Sequence, residues 1–463
     1  MSTVKVHNPF DGSLIKEIPE KTEADVEQAL ESAYQVFIDR DRWLAAHQRI
    51  EILEKVVELM SQQVEELTQL AASEGGKPYN DSKVEVLRAI QGVKLAVEHI
   101  AHIKGEQIPM GLTSSSVNRL AFTQREPIGV VSSISAFNHP LNLIVHQTIP
   151  AIAVGCPVII KPSNRTPLSC IRFVEILHEA GLPEDWCQAL VCKSRDAQKM
   201  ISDKRVNFFS FIGSAGVGWM LRSKLAPGTR CALEHGGVAP VIVDESADTS
   251  IVVDSVLKGG FYHAGQVCVS VQRVYAHESI CDDLANSIAE GAAKLVVGDQ
   301  LDPATEVGPL ITEGEVARID EWVQEAVAKG AKLLTGGQRI SNSCYTPTVL
   351  LNPPADCKVS TMEVFGPVVC VYSYSDQTEA VEQANSLDVA FQAAVYTQDL
   401  KHALDLSNRL NATAVMVNDH TAFRVDWMPF GGRDASGIGM GGIQYSMHEM
   451  TREKMMVIKS DVL

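Results

Sequence analysis

The chain predicts an α/β fold assembled from parallel βαβ units, and three observations carry that prediction. Short apolar runs, IGVVSSI, PVIIK, VNFFSFI and PVIVD, recur from residue 128 onward and alternate with helix-like segments such as LSCIRFVEILHEAGLP. A second series of the same kind runs from about Ser250 to Asn418. Ahead of both, two stretches carry apolar residues at three- and four-residue steps, the period of a helix that buries one face against a sheet. The chain shows no internal repeat and no low-complexity linker.

Thr22-Glu23-Ala24-Asp25 reads as a helix cap, after which Val26, Ala29, Leu30, Ala33, Val36 and Phe37 share one face. A second helix is expected through Ile50, Leu53, Val57, Met60, Val64 and Leu67, closed by Gly75, Gly76 and Pro78. These stripes are core. The longest apolar tract, LIVHQTIPAIAVGCPVII, is broken by His146, Gln147, Thr148, Pro150 and Pro157, so it is not expected to span a membrane.

A length of 463 residues suits roughly three units of about 150 residues each. The formal charge of -17 disfavours nonspecific binding to nucleic acid or anionic membranes, which are gathered by basic surface. MSTVKVHNPF lacks the basic start and apolar core of a secretory signal. Ten cysteines in a long chain of this kind are expected to stay reduced, which points to the cytoplasm. Neither the cysteines nor His139, His146, His263, His277 and His420 fall at CxxC or HxxxH spacing, so no metal is assigned.

Cys268 lies in FYHAGQVCVSVQRVYAHE, with Glu234 of CALEHGGVAP thirty-four residues upstream. A lone free cysteine is most often a buried, inert filler. What distinguishes Cys268 is its company: SISAFNHPLNL places Asn138 just after an apolar run, and PVIIKPSNRTPLS ends another run on Lys161. Such a set offers a thiol nucleophile, an amide donor, a carboxylate base and a cation at a strand end, where open α/β sheets bind ligands. With VHNPFDGSLI near the start and PFGGRDASGIGMGG and EMTREKMMVIK toward the end, these residues resemble the aldehyde dehydrogenase superfamily, in its order and over nearly the whole chain.

That resemblance implies an aldehyde dehydrogenase-like α/β fold. Residues 1–107 and 128–236 would form a Rossmann-like NAD(P)-binding domain, and 237–440 an α/β catalytic domain. Residues 108–127 and 441–463, including the final strand MMVIK, would form a small β oligomerisation element of a homodimer or homotetramer. It also implies roles. Cys268 would attack an aldehyde, while the Asn138 amide and the Cys268 N–H stabilise the oxyanion. Hydride would leave for a nicotinamide, and Glu234 would activate the water that cleaves the thioester.

The cofactor, NAD or NADP, would lie against Lys161, Ser163, Asn164, Gly213, Ser214, Glu363 and Phe365, with Phe430 nearby. Gly213, Ser214, Gly216 and Gly218 of GSAGVG precede a helix, where unpaired N–H groups suit a phosphate, although Gly-Ser-x-Gly alone also marks ordinary turns. The family often carries Glu three residues after the lysine. Asn164 stands there instead and removes repulsion toward a 2′-phosphate, and Arg165 adds a nearby cation, so NADP is permitted alongside NAD.

For the substrate, Arg88 of KVEVLRAIQGVKLAVEHI, His139 and Arg424 of FRVDWMPFGG point to a small polar or anionic aldehyde of lactaldehyde, semialdehyde, sulfo- or phosphono-aldehyde type. Arg119, Phe423 and Trp427 are further candidates. Val267 stands where relatives acting on phosphorylated or phosphonate aldehydes carry arginine. Each residue has a plainer alternative: a surface ion pair for Arg88, a solvated lysine for Lys161, an Asx turn for Asn138, a local cap for Glu234 and packing for the aromatic loop. At the level of function the alternatives are a CoA-acylating or esterase-like acyl enzyme, which Glu234 disfavours, and a catalytically silent structural relative. The retained Cys268, Asn138, Lys161 and Glu363 disfavour the latter.

Overall fold

The structure, a computed structural model, describes residues 2–463. Three of the apolar runs lie together in one six-stranded sheet, ordered Gly437–Ile438, Arg230–Glu234, Val206–Ile212, Val130–Ile134, Val158–Lys161 and Cys187–Ala189. Every pairing in it is parallel except that of Gly437–Ile438. The fourth run does not join it. Ala239–Val243, read with the other three from its composition, sits inside a seven-stranded sheet between Val271–His277 and Gln392–Tyr396. Immediately after Glu234 the chain therefore crosses from one sheet to the other through Gly236 and Gly237, and Glu234 lies at that crossing.

Thr22 caps the helix Glu23–Ile38, with Asp25 returning a bond to the Thr22 backbone. The next helix differs from expectation. The stripe from Ile50 to Leu67 is divided between helices Ala46–Gln62 and Val64–Gly75, because Gln63 leaves helical geometry at φ -114° and ψ 19°. Gln63 turns its side-chain oxygen to the Arg172 guanidinium. Gly76, at φ 73°, ends the second piece as a left-handed cap. Of the stripe, Leu53, Met60 and Leu67 are buried, each contributing roughly 1.5–3 kcal/mol by leaving water, whereas Ile50, Val57 and Val64 are only partly buried and Val56, outside the stripe, takes a core position.

Helix Asn142–Val154 is buried along its whole length, with Pro150 inside it, in the core between the six-stranded sheet and helix Tyr79–Ile100. Two buried carboxylates from the preceding helices cap helix starts. Glu85 accepts the Leu141 and Asn142 N–H groups at 2.9 and 3.0 Å and pairs with buried Lys77. Glu74 accepts those of Leu168 and Ser169 at 2.7 and 2.8 Å. A carboxylate there satisfies orphan donors and complements the helix dipole.

A three-stranded sheet joins Thr451–Lys459, Arg119–Pro127 and Gln107–Ile108. Residues 441–450 do not share its exposed character. Helix Ile443–Glu449 packs into the first core through Ile443 and Met447, followed by buried Met450. Beyond Thr451 the last strand is exposed, including Met455, Met456, Val457 and Ile458. Among the described residues no helix is long and apolar enough to cross a membrane, and no group of three or more His, Cys, Asp or Glu side chains is arranged to hold a metal ion.

Candidate active site

A cleft of about 600 Å³ opens where the two sheets face each other, at the carboxyl ends of the strands that finish on Ile134, Lys161, Ile212 and Glu234. Its opposite wall is the Cys268 loop with Glu363, Phe365, Ala422, Arg424 and Phe430. Helix Thr249–Phe261 leads into that loop through three consecutive left-handed residues, His263, Ala264 and Gly265, at φ 50°, 53° and 67°. Two of these carry side chains, so the turn is strained. A side chain at Gly265 would collide with the Gly366 carbonyl, so glycine lets the loop pass close enough to aim Cys268 into the cleft.

The loop is tied to Asn138 through buried Gln266. The Asn138 Nδ2 donates to the Gln266 carbonyl at 3.0 Å, and the Gln266 side chain bonds the His263 and Pro309 carbonyls and the Ile311 N–H. Asn138 thus braces the nucleophile loop instead of closing an Asx turn before Pro140, and its second amide hydrogen remains for a ligand.

Three acids in this cleft are pushed toward their neutral forms. Burial raises the Cys268 thiol to about 12, with the Glu363 and Glu234 carboxylates adding to the rise and Arg424 opposing it. Burial lifts Glu234 to about 7, again against Arg424, and Glu363 to about 8, against Arg318. At neutral pH the resting thiol is therefore protonated. Glu234 sits where small pH changes alter its charge. A side chain at Gly441 would strike its Oε1, so the glycine leaves the carboxyl its room.

One end of the cleft suits a dinucleotide. Lys161 Nζ reaches only the Pro162 carbonyl at 3.2 Å and Asn164 Oδ1 at 3.0 Å, with no carboxylate partner among the described residues. Asn164 is in turn held by the Cys192 carbonyl. Ser214 stands at the start of helix Ala215–Arg222 without capping it, which leaves its hydroxyl uncommitted. Glu363 Oε1 is buried without a partner, in space that any side chain at Gly236 would fill. Free donors near a helix start and an unpaired acceptor match phosphate and ribose groups. Ser163, Gly213 and Phe365 line the same end, Phe365 at φ 48° with its ring edge-on to Phe137.

At the other end are Arg88, His139, Asn142, Tyr262 and Arg424. Arg88 forms a fork with buried Asp426 at 3.0 and 2.8 Å. Asp426 also takes His146 Nε2 at 2.7 Å and Asn142 Nδ2 at 3.3 Å. His139 is held far below its usual range by burial and lies 3.4 Å from the Tyr262 hydroxyl. Arg424 differs from Arg88. Its guanidinium stacks on Phe430 at 3.4 Å, its Nε is buried without an acceptor, and among the described residues it forms no ion pair.

The aldehyde dehydrogenase family model matches residues 1–456 of the chain. The chain belongs to the aldehyde dehydrogenase family. It is 37% identical over 456 residues to the 3-sulfolactaldehyde dehydrogenase of Priestia aryabhattai, covering 98% of this chain and 94% of the relative. In structure it is similar to aldehyde dehydrogenase 21 of Physcomitrella patens in complex with the reaction product succinate, at TM-score 0.95 and 36% identity, with 99% of this chain and 95% of that one covered. It is also similar to the glyceraldehyde-3-phosphate dehydrogenase of Methanocaldococcus jannaschii complexed with NADP, at TM-score 0.93 and 34% identity, with 99% of each chain covered.

In this aldehyde dehydrogenase the cleft gathers Cys268, Glu234 and Asn138, the cofactor candidates and all three leading substrate candidates. It does not gather the others. Phe423 and Trp427 are exposed beside it, and Arg119 spends its guanidinium on the Ser115 and Val117 carbonyls of a surface turn. Asp426, Tyr262 and Gln266 were missed by the sequence reading. Tyr262 and Gln266 adjoin Cys268 in its own motif, a signal that was present, whereas nothing local marks Asp426 as the partner of Arg88.

Proposed function

We propose that this enzyme oxidises a short aldehyde with an anionic tail to the carboxylic acid, using NAD or NADP and a thioester on Cys268. The observation that carries the reading is a single cleft lined by a thiol, an amide donor, a carboxyl and an arginine that forms no ion pair among the described residues and leaves its Nε without an acceptor. The sulfolactaldehyde-oxidising relative and the succinate-bound neighbour support the tail.

Cys268 Sγ passes its proton to solvent water and adds to the aldehyde carbon, a step that Arg424 favours by stabilising negative charge nearby. The oxygen that becomes negative is held by the free Asn138 amide hydrogen and the Cys268 N–H, donors worth about 3–4 kcal/mol each. A nicotinamide dinucleotide held at the Lys161 and Glu363 end of the cleft would supply the acceptor for the hydride on the former aldehyde carbon. Glu234 then accepts a proton from the water that attacks the Cys268 thioester, and its position near 7 lets it both take and release that proton at neutral pH. This carboxyl favours hydrolysis over acyl transfer to CoA.

Lys161, Ser163, Asn164, Gly213, Ser214, Glu363 and Phe365 would hold the dinucleotide. Asn164, bonded to Lys161 and to the Cys192 carbonyl, places an amide where a carboxylate would repel a 2′-phosphate, which supports NADP use beside NAD. The six-stranded sheet serves as the cofactor domain and the seven-stranded sheet as the catalytic domain. The exposed apolar side chains of Thr451–Lys459 suit contact between copies in a homodimer or homotetramer. A reducing cytoplasm fits a chain whose ten cysteines are all free.

A panel of short aldehydes bearing carboxylate, sulfonate, hydroxyl or alkyl groups, followed at the reduced-cofactor absorbance with NAD and with NADP, tests this reading. Acid-tailed aldehydes should have the highest kcat/KM. A preference for long alkyl or aromatic aldehydes would overturn it.

A further inference from the structure

The substrate end of the cleft holds two arginines in different electrostatic states. Arg88 is already balanced by the fork to Asp426, and the other groups on that carboxylate, His146 and Asn142, bring donors but no further carboxylate. Burial pushes both His146 and His139 toward their neutral forms. Arg424 lies on the Phe430 ring with its Nε unpartnered. Asp426 and, beyond it, Glu234 lie within reach of its field, but neither forms an ion pair with it, so Arg424 is the one guanidinium at this end without a paired carboxylate among the described residues.

Resting on the anionic-tail reading above, we infer that the cleft is matched to a tail of one negative charge, a carboxylate or sulfonate, and that Asp426 sets this selectivity by balancing Arg88. A monoanion neutralises Arg424 and accepts its parallel N–H groups. A phosphate monoester carries a charge of about -1.5 to -2 at neutral pH. Its second charge would enter the partly desolvated substrate end, where Arg88 is already paired with Asp426 and the tail's first charge has taken Arg424, at a cost that falls on its affinity. Arg88 can lend such a tail a hydrogen bond but no unbalanced charge. Asp426 acts through Arg88 and is a positioning residue.

The test compares kcat/KM of the wild-type enzyme for aldehydes of equal chain length with carboxylate, sulfonate, phosphate-monoester and neutral amide tails. At pH 8 the two monoanions should exceed the phosphate monoester by at least tenfold. Lowering the pH below the second phosphate pKa, about 6, should raise the phosphate-to-sulfonate ratio severalfold, since of the two tails only the phosphate loses a charge and the protonation of Glu234 over the same range acts in the same direction. Asp426→Asn, which frees Arg88, should narrow the gap chiefly through KM, whereas Asp426→Glu should keep the wild-type order. Equal or greater efficiency for the dianion in the wild-type enzyme, or a ratio that does not move with pH, would overturn the inference and leave the anionic-tail reading standing. Equal efficiency for the neutral amide and the monoanions would overturn that reading, and the inference with it.

Discussion

Cys268 and Glu234 share a cleft whose burial acts on both acids in the same direction, with different chemical consequences. A thiol raised to about 12 is inert until a ligand or base removes its proton, while a carboxyl raised to about 7 can exchange protons with water under working conditions. The sign for a general base is definite: protonated below about pH 7, Glu234 cannot accept, and above it the carboxylate can. Where thioester hydrolysis limits turnover, kcat should rise about tenfold per pH unit below 7 and level off above it, and Glu234→Gln should abolish that limb. A pH-independent kcat between 5 and 8 would remove Glu234 from the deacylation step. At this scale the grouping of Asn138, Lys161, Glu234, Cys268 and Glu363 in one cleft was legible, because each sits in a short motif that resembles the family's and follows its order. The Arg88–Asp426 fork joins residues 338 positions apart and left no local trace.

At the scale of elements, the cleft depends on helices whose starts are fixed by buried carboxylates. Glu85 holds the first turn of Asn142–Val154, just after Asn138, and its charge balances buried Lys77. Glu85→Gln leaves that lysine unpaired in the interior, a loss of about 3–5 kcal/mol for a broken buried pair. Its thermal midpoint should fall by several degrees, and kcat should fall with it as the Asn138 turn loosens. An unchanged midpoint would show that the pair contributes nothing to holding this turn. Hydrophobic periodicity exposed the helices but not the break at Gln63, since the apolar stripe keeps its phase across it. Nor could composition assign Ala239–Val243 to a sheet, because buried parallel strands read alike in either one.

On the scale of the whole molecule, two mostly parallel sheets line a cleft that neither completes. The strand ending on Glu234 belongs to the first sheet, and Cys268 to a loop feeding the second, while Gly437–Ile438 returns late in the chain to pair beside Glu234. The repeated βα pattern made this architecture legible in the sequence. The late return of Gly437–Ile438 and the packing of Ile443 and Met447 into the core were not, because both depend on contacts with segments far away in the chain. The central claim is that this arrangement forms an acyl group on Cys268 and hydrolyses it with Glu234. Intact-protein and peptide mass spectrometry of Glu234→Gln, mixed with NADP and a carboxylate-tailed aldehyde, tests it most directly. The account predicts one acyl adduct on the Cys268 peptide for each cofactor reduced, and neither adduct nor reduction in Cys268→Ala. Cofactor reduction by Glu234→Gln with no accumulated adduct, or an adduct on any other residue, would contradict it.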